Sequence, residues 1–196
     1  MAYSWPATVI PNVQDHWMDS QDGVQESPFG GGLQTNGSSV HKWNFQFNFP
    51  ELTGAQALAA EVVLSQAGKA DVIMPIYQKG LNTTPVMTPL VNTGSSGFTL
   101  KVKALDTSWV GLAGQFISVY SNSMYWLYRL AADSTAGSAT RDLTLTSEIR
   151  YAHANNDPVQ ISVPYIQGYI ANENRRSSLS VNQLSTLPSI VVRERK

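Results

Sequence analysis

The sequence predicts a mainly β chain with one short helix, arranged as a sheet domain interrupted by a small barrel. Three observations carry this. Residues 41–49 alternate strictly, with Trp43, Phe45, Phe47 and Phe49 on one side and Lys42, Asn44, Gln46 and Asn48 on the other. One stretch alone, 54–67, has helix-forming composition behind a start signal. From residue 98 to 163, five short apolar runs recur at near-regular spacing between turn residues, the pattern of a small barrel or sandwich.

The alternating stretch is a strand, because successive side chains on a strand point to opposite faces. Its aromatic side is read as buried and its amide-rich side as facing water. Pro50 lacks the N–H a ladder needs and ends it. Thr53, followed three places later by Gln56, reads as a capping box with Leu52 just outside. Gly54 to Ala67 then favours helix, and Gly68 stands where a helix stop wants a positive φ. The helix's apolar residues are mostly alanine, with Leu58, Val62 and Leu64 larger, so it can approach a sheet or a neighbouring subunit closely. Asp71 to Tyr77 returns as a strand, which Pro75 pushes toward a sheet edge.

Around this unit the chain is less regular. Residues 1–20 hold scattered apolar side chains (Trp5, Val9, Ile10, Trp17, Met18) without periodicity and read as an arm packed on its own domain or a neighbour. The triple glycine at 30–32 is turn material; no Lys-Ser/Thr and no helix start follow it, so it is not a phosphate loop. Residues 78–97 form a connector. Beyond it Phe98, Leu100, Val102 and Ala104 alternate. Gln115–Tyr120 and Met124–Leu130 pair across a turn at 121–123, then come Arg141–Ser147 and Val159–Val163. An OB-like barrel matches the size. Tyr165–Asn172 and Ser189–Val192 read as strands that rejoin the first sheet. The division is therefore an arm at 1–20, a β domain at 21–80 with 165–196, and an inserted barrel at 81–164.

Composition bounds the chemistry. A chain of 196 residues can bury a real core. Its formal charge is −1 and only 14% of residues are charged, against about a quarter in typical soluble domains. Neither duplex DNA nor an anionic membrane is an evident partner. A weakly charged polar surface suits a subunit that buries much of its exterior against copies of itself. There is no cysteine, which excludes disulfides and thiolate chemistry. No apolar run approaches a membrane span, and the first residues lack a signal-peptide pattern.

Catalytic groups are sparse. His16, His41 and His153 show no metal-ligand spacing, and Asp15 and His16, as neighbours on an extended segment, point apart. There is no Gly-x-Ser-x-Gly elbow. Nothing in the sequence brings together two of Glu51, Glu61, Asp71, Asp133 and Asp142. The expectation is no enzyme and no cofactor. Tyr120, Tyr125, Trp126 and Tyr128 give the barrel aromatic area on which a sugar could stack, with packing as the plainer role. Residues 98–164 carry five basic against five acidic side chains, which disfavours nonspecific binding of a nucleic-acid strand.

With these residues in view, the chain resembles the distal tail proteins of long-tailed bacteriophages. The resemblance covers about residues 40–196. It rests on the order and spacing of the aromatic strand ending Pro50-Glu51-Leu52, the helix to Gly68, Pro75-Ile76-Tyr77, Leu112 to Val119, Met124 to Tyr128, and Val191-Val192-Arg193-Glu194. It implies a tube-like β-sandwich domain with an OB-like barrel outside it. It also implies a homo-oligomeric ring of six copies at the virion tail tip, between the tail tube and the hub or baseplate proteins, with a channel for transient passage of DNA. In such a ring Lys42, Asn44, Gln46 and Asn48 are candidates to line the lumen. The strands holding Asp71, Ile73 and Tyr77, and Tyr165–Ile170, are candidates for pairing across subunits. Another tail-completion or baseplate ring protein has similar ingredients. From a different class, a carbohydrate-binding module using the barrel aromatics is the alternative.

Overall fold

The computed structural model describes residues 2–20, 23–26, 33–36, 41–67, 70–78, 80–81, 88–171, 178–179 and 184–195. The expected helix stop at Gly68 lies outside them. In chain order the strands are β1 (Ala2–Ser4), β2 (Val13–Ser20), β3 (Gly23–Glu26), β4 (Leu33–Asn36), β5 (His41–Asn48) and β6 (Leu52–Thr53). Helix α1 (Gly54–Gln66) and β7 (Asp71–Pro75) follow. The middle of the chain supplies β8 (Leu90–Val91), β9 (Thr99–Lys103), β10 (Phe116–Ser121), β11 (Met124–Arg129), β12 (Arg141–Thr144) and β13 (Val159–Gln160). The last are β14 (Tyr165–Ile170), β15 (Ser178–Leu179), β16 (Leu184–Thr186) and β17 (Ile190–Glu194). The chain is mainly β with one short helix.

The principal sheet has six strands in the order β1-β7-β14-β17-β5-β2. Its inner face carries Trp43, Phe45 and Phe47 from β5, Val72 and Met74 from β7, and Ile190 and Val192 from β17, all buried. Two features differ from the sequence reading. Residues 2–20 are not an appended arm: β1 and β2 form the two edges of this sheet. And β7 and β14, expected at edges, are interior strands. Pro75 is tolerated in β7 because its missing N–H faces the side where β1 has already ended. Ile73, two residues earlier on that side, takes the last bond, from Trp5 N–H.

The sheet is curled. Laid flat, six strands at ~4.8 Å spacing put the outer two about 24 Å apart. Yet the link from β1 to β2 is only residues 5–12 and contains a turn, closed by Val9 N–H to Pro6 O. The edge strand β2 in fact reaches the end of β7. The Gln14 side chain donates to Tyr77 O and accepts from Tyr77 N–H, at 3.3 and 3.1 Å. Trp5 anchors the link, donating to Val9 O at 2.9 Å and stacking on Phe49.

Helix α1 covers part of the concave face through Ala57, Ala60, Val63 and Leu64, while the larger Leu58 and Val62 point outward, 60% and 56% exposed. At its start Gln56 Oε1 accepts both the Thr53 backbone N–H and the Thr53 hydroxyl, each at 3.1 Å. Strand β6, leading into it, pairs with β16.

The rest of the concave face is covered by the inserted unit. That unit consists of two three-stranded sheets, β11-β10-β13 and β12-β9-β8. They meet at two narrow seams, bridged at Leu90–Pro158 and Leu130–Leu145. The first seam has three backbone bonds and the second two, so the ladder is not continuous and the expected small barrel is not fully closed. The reason is strand length. β8 and β13 have two residues each, too few for a full ladder at the seam they share. The core between the sheets is nonetheless dense, with Leu100, Ile117, Tyr128, Leu143 and Leu145 fully buried. The β10–β11 hairpin turns on Asn122 and Ser123, both with positive φ, as a two-residue type I′ turn needs.

Removing the Thr53 hydroxyl should loosen the helix start. Thr53→Ala is expected to cost about 1 kcal/mol and lower Tm accordingly; an unchanged melting curve would show that the cap carries no stability.

Candidate functional site

Two regions could serve a function: the convex face of the six-stranded sheet, and the junction where the inserted unit meets the sheet.

Register assigns the convex face. Asp15, Trp17 and Asp19 of β2 pair with Gln46, Asn44 and Lys42, and Arg193 of β17 pairs with Asn44 from the other side. Asp71 and Ile73 of β7 lie on the same face, with Ile73 opposite Gln167. No further layer of described residues covers the β2, β5 and β17 positions, whereas Ile73 and Gln167 border the inserted unit, Ile73 beside Tyr125 in a shared cavity and Gln167 bonded to Tyr125 N–H. Of the four expected lumen residues, Lys42, Gln46 and Asn48 are half-buried, but Asn44 is only 2% exposed. The expected solvated amide face is thus interrupted, because β5 is interior and the larger Trp17 and Arg193 flank Asn44. Charge on the face is balanced, and two ion pairs form on it. Arg193 hydrogen-bonds Asp19, and Arg195 Nε lies 3.1 Å from Asp71 Oδ1. Tyr77 does not belong to this face; it follows the end of β7 and its ring lines the junction.

The junction is built by β10 and β11, which are buried on both sides. Ile117, Val119, Trp126 and Tyr128 face the inserted unit's core. The alternate residues face the sheet, with Phe116 edge-on to Trp43, Phe45 and His16 at 5.0–5.3 Å. At its centre is a buried ion pair. The Arg150 guanidinium donates to both oxygens of Glu194 at 2.7 Å, and Glu194 is 0% exposed. Glu194 also accepts the backbone N–H groups of Trp43 and Leu127, both at 3.2 Å. Burial alone would lower the Arg150 pKa, but the charge and hydrogen bonds of Glu194 win and hold it above its ordinary value. Gly168 faces this carboxylate's strand: a Cβ there would sit 1.9 Å from Arg193 O, so only glycine lets β14 and β17 approach. Two glutamines complete the clasp. Gln78 bonds both N–H and C=O of Phe116, at 2.7 and 2.9 Å, and Gln167 accepts from Tyr125 N–H at 3.1 Å.

The four aromatics expected on one barrel surface divide. Trp126 and Tyr128 are core, Trp126 stacking on Tyr151 at 4.9 Å. Tyr128 OH meets His153 Nε2 at 2.9 Å. Burial pushes the Tyr128 phenol up to about 12 and takes His153 down to about 4. Asp157 raises the His153 value and Arg150 lowers it, both less than burial does. Tyr120 and Tyr125 remain at the surface, on the side of β10–β11 that faces the sheet. There they join Tyr165, with ring centroids 4.9 Å apart at each step. Sequence alternation hints at this split, since 120 and 125 share a face opposite to 126 and 128; Tyr165 and the buried Glu194 carry no such signal.

His16 sits in an aromatic cluster, its pKa lowered by burial and then by Arg129. Among the described residues no group of three or more His, Asp or Glu is placed to hold a metal ion. No described helix is long and apolar enough to cross a membrane. No protein-family model matches the chain, and no curated protein is significantly similar to it.

Two expectations follow. Glu194→Gln leaves a buried guanidinium without its counter-charge and should cost about 3–5 kcal/mol in denaturant unfolding. Adding Arg150→Met should recover part of that loss, since the amide oxygen at position 194 still accepts a backbone N–H. For His153, the folded state holds fewer protons than the unfolded one between its ordinary value of 6.5 and about 4. Stability is therefore full above that window and lost as pH falls through it, by about 3 kcal/mol. His153→Gln should flatten the dependence of Tm on pH in this window.

Proposed function

We propose that this chain is a non-enzymatic structural subunit of a phage tail tip, of the distal tail type. In this reading it assembles with copies of itself into a six-membered ring that joins the tail tube to hub or baseplate proteins. The observation that carries the reading is the six-stranded sheet. One face is packed; the other is broad, polar and charge-balanced, with Asp15, Asp19 and Asp71 against Lys42, Arg193 and Arg195. A wall of that kind could border a DNA channel without holding phosphates electrostatically.

Among the described residues β1 and the eight-residue β2 each pair with one strand only, and Gln14 engages Tyr77 near the start of β2 while the rest of that edge has no ladder partner. Unpaired edges favour strand addition. Two different edges meeting head to tail make a heterologous contact, the type that closes a ring. The exposed Leu58 and Val62 of α1 add apolar area to the same unit. The resemblance in strand and helix order agrees with this assignment.

Light scattering after gel filtration tests it. The expected mass is six times 21.4 kDa, about 128 kDa, with rings in negative-stain micrographs. A chain that stays a monomer at every concentration, with no rings, would overturn the proposal.

A further inference from the structure

The tyrosines at the junction enclose a hollow. A cavity of about 340 Å³ opens between the β1–β2 link, the end of β7, β11 and the start of β14. Tyr77, Tyr125 and Tyr165 line it, with Ser4 and Trp5 on the N-terminal side. Tyr120, 38% exposed, extends the aromatic surface beyond Tyr125. A second hollow lies beside it, sharing Tyr77 and Val163 and lined also by Asn12, Gln14 and Ser162. Its volume is about 600 Å³, and the shared Tyr77 and Val163 make the two hollows adjoining parts of one groove.

Its chemistry is selective. Among the described residues, no Asp, Glu, Lys, Arg or His lines either hollow. Those residues offer phosphates and carboxylates no counter-charge. What the groove offers is aromatic faces, phenol and serine hydroxyls, and side-chain amides. The rings at Tyr120, Tyr125 and Tyr165 are tilted by 50° and 43° to one another, which makes a stepped surface. Tyrosine combines a wide apolar body with one polar handle. That matches a pyranose, whose C–H face is apolar and whose rim is hydroxyl. Burial, and then the neighbouring phenols, raise the pKa of Tyr77 and Tyr125, so these hydroxyls keep their protons and donate near neutral pH. The volume falls in the range of small-ligand sites.

We propose that this tyrosine-lined groove binds a neutral oligosaccharide, with Tyr125 and Tyr165 as the stacking residues. The site differs from a patch on the barrel surface: two of its rings come from outside the inserted unit, at Tyr77 and Tyr165. It does not rest on ring assembly, because the groove lies within one chain.

The test is saturation-transfer NMR and calorimetry on the full chain with neutral hexasaccharides of glucose (β- and α-linked), mannose and N-acetylglucosamine. At least one should bind with Kd below about 1 mM. Tyr125→Ala should then weaken binding about tenfold or more, and Tyr165→Phe less, through loss of a hydroxyl alone. Trp17→Ala, on the convex sheet face, should leave it unchanged. If Tyr125→Ala does not fold, Tyr125→Leu makes the same test while keeping apolar volume. No binding by any of the four sugars overturns the proposal, as does binding that survives the Tyr125 variants or is lost with Trp17→Ala. A proline-rich peptide that binds this groove when no sugar does would assign it to peptide recognition instead.

Discussion

The structure depends on one buried ion pair. Arg150 comes from the inserted unit and Glu194 from the last strand of the principal sheet, and each is almost wholly removed from water. A lone buried charge costs several kcal/mol, so neither residue is tolerable unless the two units are docked. The bidentate geometry fixes their separation and their relative rotation. Glu194 reaches further: its two backbone acceptor bonds tie the start of β5 to β11, joining residues far apart in the chain. The guanidinium lies 6.0 and 5.6 Å from the ring centres of Trp126 and Tyr128, so the aromatic packing of the inserted unit is built around the same charge.

That arrangement explains why the inserted unit is not a self-sufficient barrel. Phe116 and Leu127 belong to the core of the principal sheet, not to the core between the two small sheets. A wall of two strands buried on both faces serves two cores at once. The narrow seams elsewhere are tolerable because this wall is held from behind. Arg141 performs a similar office at the opposite end, bonding the backbone carbonyls of Asp106, Trp109 and Ser138 and so closing the loops that no ladder closes.

Much of this was legible in the sequence, and the failures have physical causes. The alternation of Trp43, Phe45 and Phe47 named the core strand because one face is buried and period two is unambiguous there. Helix α1 could be placed because Thr53 and Gln56 act locally. The β10–β11 wall was harder: with both faces buried, Phe116 to Tyr120 shows no alternation that tells which core each residue joins. Pro75 suggested an edge, and the inference failed because an absent N–H matters only where a neighbouring strand continues. Glu194 stands among Arg193, Arg195 and Lys196, its partner is 44 residues away, and nothing local marks a buried carboxylate. The tyrosine groove draws its rings from three separate segments, so spacing alone could not assemble it.

The short link anchored by Trp5 has a mechanical consequence. Both flanks of the sheet belong to one stretch of about twenty residues, and the span between them is folded back by the Pro6–Val9 turn and pinned by Trp5. Spreading the flanks apart must first undo that turn and the Trp5 contacts with Val9 and Phe49. The curl of the sheet is thus held by a local fastening as well as by its ladders.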